Sequence, residues 1–217
     1  MKLSLLSAFA VAATLVAAPA AAVSVLVTNA SFETPPSGAF LDCGSGCLYT
    51  ADNLVPGWTV TGPAGQSGLF RPALPLRFNS IPDGITVAYS NVGTISQTVG
   101  VLAQAGFTYT LKAWVGLRND GFANAGTARL VVGSNTVTAT GVAPAVGHFS
   151  EMTATYIATL ADAGSPITIE LFSAGDQGTF DLVSLTAVPE PEMWAMMIVG
   201  FGLVGAARRR QRTAVAA

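Results

Sequence analysis

Apolar and polar residues alternate along the middle of the chain, from Ser24 to Val188, in short runs separated by Gly, Pro, Asn and Asp. Successive side chains of a β-strand point to opposite faces of a sheet, so this alternation predicts strands that bury one face. In the run FTYTLKAWV, Phe107 and Leu111 fall on one face, whereas Lys112 and Trp114 fall on the other. No run in this region has the apolar spacing of an amphipathic helix.

About ten short strands can be assigned in this way, and their inward-facing positions predict the core. The clearest of these positions are Phe107, Leu111, Leu130, Ile169 and Leu171. Parallel strands would need long helical crossovers, which the sequence does not provide. The expected fold is therefore all-β, an antiparallel β-sandwich of the jelly-roll type over residues 23–187.

The N-terminus has the three parts of a secretory signal. Met1-Lys2 is positively charged, Leu3 to Val16 is mostly apolar, and Ala20-Ala21-Ala22 offers the small residues that signal peptidase accepts. Pro19 and the small residues after it argue against a retained membrane helix. We expect a signal peptide at residues 1–22 and export of the mature chain.

Charge is scarce and mildly negative in the predicted sandwich. The stretch from Val23 to Val188 holds five of the ten Lys and Arg residues and ten of the twelve Asp and Glu residues. Binding to nucleic acid requires clustered Lys and Arg to neutralise phosphates, and no such cluster lies in this region. Nucleic acid is therefore not an expected partner.

The only cysteines, Cys43 and Cys47, lie in the loop-like stretch CGSGC. Because export places them in an oxidising compartment, we expect one local disulfide, whose small ring the intervening glycines allow to close. Two thiols cannot complete a zinc site, and the single histidine, His148, stands in no ligand pattern.

Catalytic motifs are missing from the sequence. There is no nucleophile elbow for His148 to serve, no phosphate loop, no dinucleotide fingerprint and no HExxH. No residue is therefore assigned a catalytic role. Spacing along the chain still permits a pair of carboxylates for glycoside hydrolysis to converge from Asp120, Glu151, Glu170 and Asp176.

Exposed aromatic residues are the other candidate functional residues, because Trp and Tyr can stack on sugar rings while their polar edges stay hydrated. Trp114 falls on the polar side of its strand beside Lys112, and Tyr89 is a second candidate. Trp114, with Lys112 beside it, is the first choice for a ligand-binding platform, and Tyr89 is the second. The alternative is that Trp114 fills a second small core or an edge. Trp58, after a Pro-Gly turn, is expected to anchor the core.

The C-terminal stretch VPEPEMWAMMIVGFGLVGAARRRQR resembles the PEP-CTERM sorting signal of Gram-negative bacteria, with Pro189, Glu190 and Pro191 as its motif. The resemblance implies recognition by an exosortase in the inner membrane, cleavage near the motif, and transfer to the cell surface or extracellular matrix. The sorting signal would occupy residues 188–217.

The residues of this signal are consistent with a temporary anchor. Met193 to Ala207 is an uncharged apolar run of 15 residues, which as a helix would be roughly 22 Å long, short of a usual span of about 30 Å. The positive-inside rule would hold the arginines that follow in the cytoplasm as a membrane stop. These are Arg208, Arg209, Arg210 and Arg212.

The predicted sandwich resembles exported galactose-binding-like and carbohydrate-binding-module domains in four motifs: NASFE from Asn29, VPGW from Val55, SQTV from Ser96 and TFDLVSLT from Thr179. In such folds an early Glu and a late Asp often hold a structural calcium ion. The resemblance implies this role for Glu33 and Asp181, as hard oxygen ligands, with ordinary hydrogen bonding as the alternative. Some bacterial terpenoid cyclases share this kind of sandwich.

Two functions are consistent with these observations. The first is a non-catalytic surface or matrix protein whose sandwich associates with exported polysaccharide. The second is a secreted enzyme, glycan-active or cyclase-like, that uses carboxylates on the sandwich. A deep pocket holding carboxylates would favour the enzyme, whereas a flat face carrying Trp114 would favour binding.

Overall fold

The computed structural model describes residues 21–38, 40–122, 124–175, 177–190 and 200–204. Residues 21–190 form one compact unit, the sandwich domain. Of the two chain ends, only residues 200–204 are described, and they are helical and exposed. The predicted signal peptide, up to residue 20, and the predicted arginine stop, Arg208 to Arg212, lie outside the described residues. Within the described part of the chain, no helix has the length and apolar character needed to cross a membrane.

Thirteen strands build the described sandwich domain. They are β1 (Val23–Val25), β2 (Leu41–Asp42), β3 (Leu48–Tyr49), β4 (Thr59–Thr61), β5 (Ser67–Arg71), β6 (Val87–Ser90), β7 (Gly93–Leu102), β8 (Phe107–Leu117), β9 (Thr127–Val132), β10 (Asn135–Thr138), β11 (His148–Ile157), β12 (Pro166–Ser173) and β13 (Gly178–Pro189). A single turn of 3-10 helix, Leu160–Asp162, connects β11 to β12.

Two antiparallel sheets pack face to face, as the alternation predicted. One has the order β11-β8-β13-β6-β5-β3-β2, with β1 paired to β13 beside β6, and the other has the order β10-β9-β12-β7-β4. Every ladder is antiparallel. The all-β sandwich expected from the sequence is confirmed.

The core lies between the sheets, at the positions where the strands alternate inward. Leu111, Leu130, Ile169 and Leu171 are fully buried there. Phe107, at the start of β8, is only half-buried and packs against the edge of the core. Trp58 is buried as expected, and its ring lies 5.4 Å from that of Phe32.

A second apolar cluster covers the outer face of the larger sheet. Its buried members come from strands and loops far apart in sequence, and they are Cys47, Phe70, Phe78, Val87 and Tyr89. The alternation pattern did not predict β2 and β3, because each has only two residues and so gives no periodic signal. The outer face at this end of the sheet is thus a second, smaller core rather than a solvent-exposed surface.

The last strand extends further than predicted. β13 reaches Pro189, two residues beyond the expected end of the domain at residue 187, and pairs Pro189 with Phe107. The N–H of Glu190 then donates to the carbonyl of Gly106 at 2.8 Å. The first two residues of the sorting motif are therefore held against the end of the sandwich domain.

Candidate functional site

An open cavity of about 760 Å³ lies against the outer face of the larger sheet, beside the second apolar cluster. Its lining residues come from β3, β5 and β6, from the segment of β2 and the β2–β3 loop, and from the loops after β4, β5, β6, β8 and β12. We call it the aromatic cavity. Its lining includes Tyr49, Phe70, Tyr89, Arg77, Arg118 and Gln177, with Asp42, Cys43, Cys47, Asn91, Phe122 and Gly175 around them.

Three aromatic rings form the apolar wall of this cavity. The Tyr89 ring meets the rings of Tyr49 and Phe70 edge to face, with centroids 6.5 Å and 6.4 Å apart. Gly68 lies opposite Tyr89 in the ladder, where a Cβ would stand 2.4 Å from the carbonyl oxygen of Thr50. A side chain at Gly68 would therefore displace the backbone that supports the wall.

Tyr89 is not the exposed platform that the alternation suggested. Only 3% of it is accessible, and its hydroxyl donates to the carbonyl of Thr50 at 2.6 Å. Burial, with smaller contributions from Tyr49 and Asp52, raises the pKa of Tyr89 to about 12. The expectation of exposure was wrong because the rings of Tyr49 and Phe70 pack against Tyr89, and Thr50, which follows β3, accepts its hydroxyl. Tyr89 contributes an apolar ring edge to the cavity and stays neutral.

Arg118 is the most buried charged residue of the cavity wall, and its surroundings are aromatic and acidic. Its guanidinium lies 5.0 Å from the centre of the Phe70 ring and 4.2 Å from that of Phe122. It donates to both carboxylate oxygens of Asp120, at 2.8 Å and 2.5 Å, and to the side-chain oxygen of Gln177. Both kinds of contact hold the guanidinium plane fixed.

Arg77 shares the same carboxylate. Its Nη1 donates to Asp120, and its Nη2 lies 3.9 Å from Sγ of Cys47. Burial opposes the ionisation of Asp120, but the hydrogen bonds and charges of Arg118 and Arg77 outweigh it and lower the pKa of Asp120. The Asp120 carboxylate thus binds the two guanidiniums that line the cavity, although Asp120 is not itself a lining residue.

The predicted disulfide is present between Cys43 and Cys47, at the edge of the cavity. Gly44 and Gly46 between them have φ values of +76° and +82°, which a glycine adopts without strain. The N–H of Cys43 donates to the carbonyl of Cys47, which closes the loop. The disulfide fixes part of the cavity rim and leaves no free thiol among the described residues.

Trp114 and Lys112 lie on the outer face of the larger sheet but outside the cavity wall. Lys112 is exposed and donates to Glu151 at 2.8 Å, and Trp114, half-buried, stands beside Glu151 and Asp181 in the ladder. The candidate ligand-binding residues therefore lie in two different places. Tyr89 belongs to the cavity, whereas Trp114 and Lys112 belong to the neighbouring surface.

Glu33 and Asp181 both bind the loop that leads into β6. Glu33 Oε1 accepts the N–H of Thr86 at 2.7 Å, and Asp181 Oδ2 accepts the N–H of Asp83 at 3.1 Å. Burial, reinforced by the charges of Asp83 and Glu33 and opposed by two backbone hydrogen bonds, raises the pKa of Asp181 to about 7. Across the described ranges, no group of three or more acidic, histidine or cysteine side chains is placed to hold a metal ion.

The three described carboxylates considered for glycoside hydrolysis each have a different partner and form no pair. Glu151 is on β11 of the larger sheet, Glu170 is paired to Arg129 on the smaller sheet, and Asp120 is bound by two arginines. The fourth, Asp176, lies outside the described residues.

The sequence analysis found neither the Arg118–Asp120 pair nor Arg77, although the close spacing of Arg118, Asp120 and Phe122 was a local signal.

Comparison with known protein families agrees with this architecture. Residues 23–186 match the HpiC1-like family, described as HpiC1 cyclase. The chain therefore belongs to the HpiC1-like family. Residues 187–211 match the PEP-CTERM protein-sorting motif, which confirms the resemblance of the C-terminal stretch. The motif implies an exported, membrane-anchored precursor that an exosortase processes. No curated protein matches the sequence of the chain.

Two solved structures of Fischerella cyclases show the same fold. The Stig cyclase Fisc from Fischerella sp. TAU, in complex with (3Z)-3-(1-methyl-2-pyrrolidinylidene)-3H-indole, aligns with a TM-score of 0.64 and 24% identity, covering 78% of this chain and 100% of the other. A Fischerella sp. TAU cyclase in complex with 4-(1H-indol-3-yl)butan-2-one aligns at 0.63 and 23%, covering 77% and 98%. The CBM22-1 xylan-binding domain of Paenibacillus barcinonensis Xyn10C aligns at 0.42 and 12%, covering 72% and 99%.

Proposed function

We propose that the chain is an exported protein that binds a small aromatic molecule in the aromatic cavity and promotes its ring closure. The single observation that carries this proposal is the cavity itself, about 760 Å³ lined by Tyr49, Phe70 and Tyr89. Small-molecule sites are usually concave, mostly apolar, and supplied with a few fixed polar groups. The arginines and Gln177 are those groups here.

The cavity walls suit a ring-closing reaction in two ways. Rigid aromatic faces hold a flexible substrate folded, so that the reacting atoms start close together. The ring of Tyr49, for which no cation–π contact is seen among the described residues, can also attract positive charge that develops on a substrate during ring closure. Membership of the HpiC1-like family supports the same reaction class.

A binding and turnover experiment on residues 23–190 tests the proposal, since these residues contain all thirteen strands. We use 4-(1H-indol-3-yl)butan-2-one as the probe and measure binding by isothermal titration calorimetry. Saturable binding to the wild type, weakened by Phe70→Leu, supports the cavity as the site. Ring closure by isomerisation conserves mass, so turnover of an unsaturated indole derivative would appear in liquid chromatography with mass detection as a new peak of unchanged mass. No saturable binding would contradict the proposal.

A second proposal concerns the surface around Trp114, because a half-buried Trp lies there beside the exposed Lys112–Glu151 pair. An aromatic ring flanked by hydrogen-bonding groups can stack on a sugar ring. The chain would then associate with exopolysaccharide at the cell surface or in the extracellular matrix of a Gram-negative bacterium. Co-sedimentation with purified exopolysaccharide tests this, and Trp114→Ala should abolish it while Phe70→Leu should not.

We further propose that Glu33 and Asp181 hold a structural calcium ion. Asp181 is fully buried, and the nearby charges of Asp83 and Glu33 oppose its ionisation, so a divalent cation would relieve the repulsion. Carboxylate oxygens completed by backbone carbonyls are the ligands that Ca²⁺ prefers, which supports the choice of this ion. Calcium would tie the first loop of the domain to its last strand.

A further inference from the structure

We propose that the ligand of the aromatic cavity carries a carboxylate, which Arg77 and Arg118 bind while the aromatic wall holds the rest of the molecule. This inference rests on the proposed function, because it specifies the chemical class of the ligand of that same cavity. The ligand is accordingly an aromatic acid rather than a neutral or cationic aromatic compound.

The first argument is the number of hydrogen-bond donors that remain available. A guanidinium has five N–H donors, and only three on Arg118 and one on Arg77 meet an oxygen acceptor among the described residues. The Nε of Arg77 is buried and has no hydrogen-bond partner within the described part of the chain. Several N–H donors of the two guanidiniums therefore meet no oxygen acceptor among the described residues, and an incoming oxyanion would supply one.

The second argument is charge. Two guanidiniums line the cavity, whereas the carboxylate that they share, Asp120, is not among its lining residues. The only carboxylate among the described lining residues is Asp42, which lies on an exposed strand where water screens it. The wall near Arg77 and Arg118 thus carries one positive charge more than its own carboxylate neutralises.

The third argument is shape. Arg118 lies between the rings of Phe70 and Phe122, and Phe70 in turn meets Tyr89. The cationic and aromatic parts of the wall are therefore contiguous, so one small molecule can contact both. A planar guanidinium matches the two oxygens of a carboxylate better than it matches a single carbonyl oxygen.

Three probes with the same ring test the inference: indole-3-propionate, indole-3-propionamide and tryptamine, which are anionic, neutral and cationic. We measure their affinities for residues 23–190 by isothermal titration calorimetry at low salt. A charge-assisted contact predicts that the propionate binds about tenfold more tightly than the amide. Tryptamine is expected to bind more weakly than the amide.

Variants of Arg77 identify the source of the preference, since this arginine is less enclosed than Arg118. Arg77→Gln should reduce the ratio between propionate and amide to about twofold or less, whereas Arg77→Lys keeps the charge and should retain most of it. Arg129→Gln, on the other sheet, is the matched control and should change nothing.

The possible failures are distinguishable. If the amide binds the wild type as tightly as the propionate, or if Arg77→Gln retains the full ratio, the carboxylate inference is overturned while the proposed function stands. If none of the three probes binds, both are overturned.

Discussion

Replacing Asp120 by Asn removes the one carboxylate that Arg77 and Arg118 share. Only 8% of the Arg118 side chain and 18% of the Asp120 side chain are accessible. Removing one partner of a buried ion pair costs about 3–5 kcal/mol, because the other charge stays buried without compensation. Here the pair keeps some contact with water and Asn retains one acceptor, so we expect a loss of about 2–4 kcal/mol.

The assay is urea denaturation of residues 23–190, with the wild type and Asp120→Asn compared at pH 7. The midpoint should fall without a change in slope, because the extent of unfolding is the same. The matched control is Glu170→Gln, which breaks the half-exposed Arg129–Glu170 contact at 4.0 Å. That contact is worth less than about 1 kcal/mol.

The same pair predicts a pH dependence. The folded state lowers the pKa of Asp120, so the unfolded state binds the proton more readily. The stabilisation is therefore complete above the unfolded pKa of about 3.9 and is lost as pH falls through the lower folded value. The difference in unfolding free energy between wild type and Asp120→Asn should shrink below about pH 4.

If Asp120→Asn lowers the free energy of unfolding at pH 7 by no more than Glu170→Gln does, the argument from the buried ion pair is refuted.

Three further predictions follow from the core, the calcium proposal and the sorting motif. Leu111→Ala empties a fully buried position and should cost about 2–5 kcal/mol in urea denaturation. Calcium should raise the melting temperature of the wild type but not of Asp181→Asn, and identical melting curves in calcium and chelator would exclude the ion. Mature surface protein should begin near Val23 and end near Pro189 by intact mass, whereas changing Pro189 and Pro191 to Ala should trap uncleaved precursor.

The sandwich was predictable because its core strands carry the signal locally. In β8 the buried Leu111 and the exposed Lys112 are neighbours in sequence, and the pleat alone assigns them to opposite faces. The same reasoning succeeded for Leu130 and Ile169. Fold prediction here required only the period of the pattern, not a knowledge of what the strands pack against.

The outer face could not be predicted in the same way, because its burial depends on distant segments. Alternation correctly separates Tyr89 from the central core, but the residues that cover it come from β3 and β5, some 20–40 positions earlier. Those segments include a strand of two residues, too short to give a periodic signal. Polar outward positions therefore looked exposed in sequence although a second apolar layer lies over them.

Only part of the charge network at the cavity could be predicted from the sequence. Arg118 and Asp120 are two residues apart, so their contact could have been suspected from the sequence alone. Arg77 joins the same carboxylate from 43 positions away, through a loop with no regular structure. A charge network of this kind depends on loop conformations that local patterns do not encode.

The central claim, that the aromatic cavity is the ligand site, is tested most directly by filling it. Gly175 lines the cavity, has an ordinary φ, and would place a Cβ in open space, so Gly175→Trp should fold without strain. Gly100 on β7 has the same freedom but lies on the smaller sheet, which makes Gly100→Trp the matched control. The account predicts that calorimetric binding of 4-(1H-indol-3-yl)butan-2-one is lost in Gly175→Trp and unchanged in Gly100→Trp. Wild-type affinity in Gly175→Trp would contradict it.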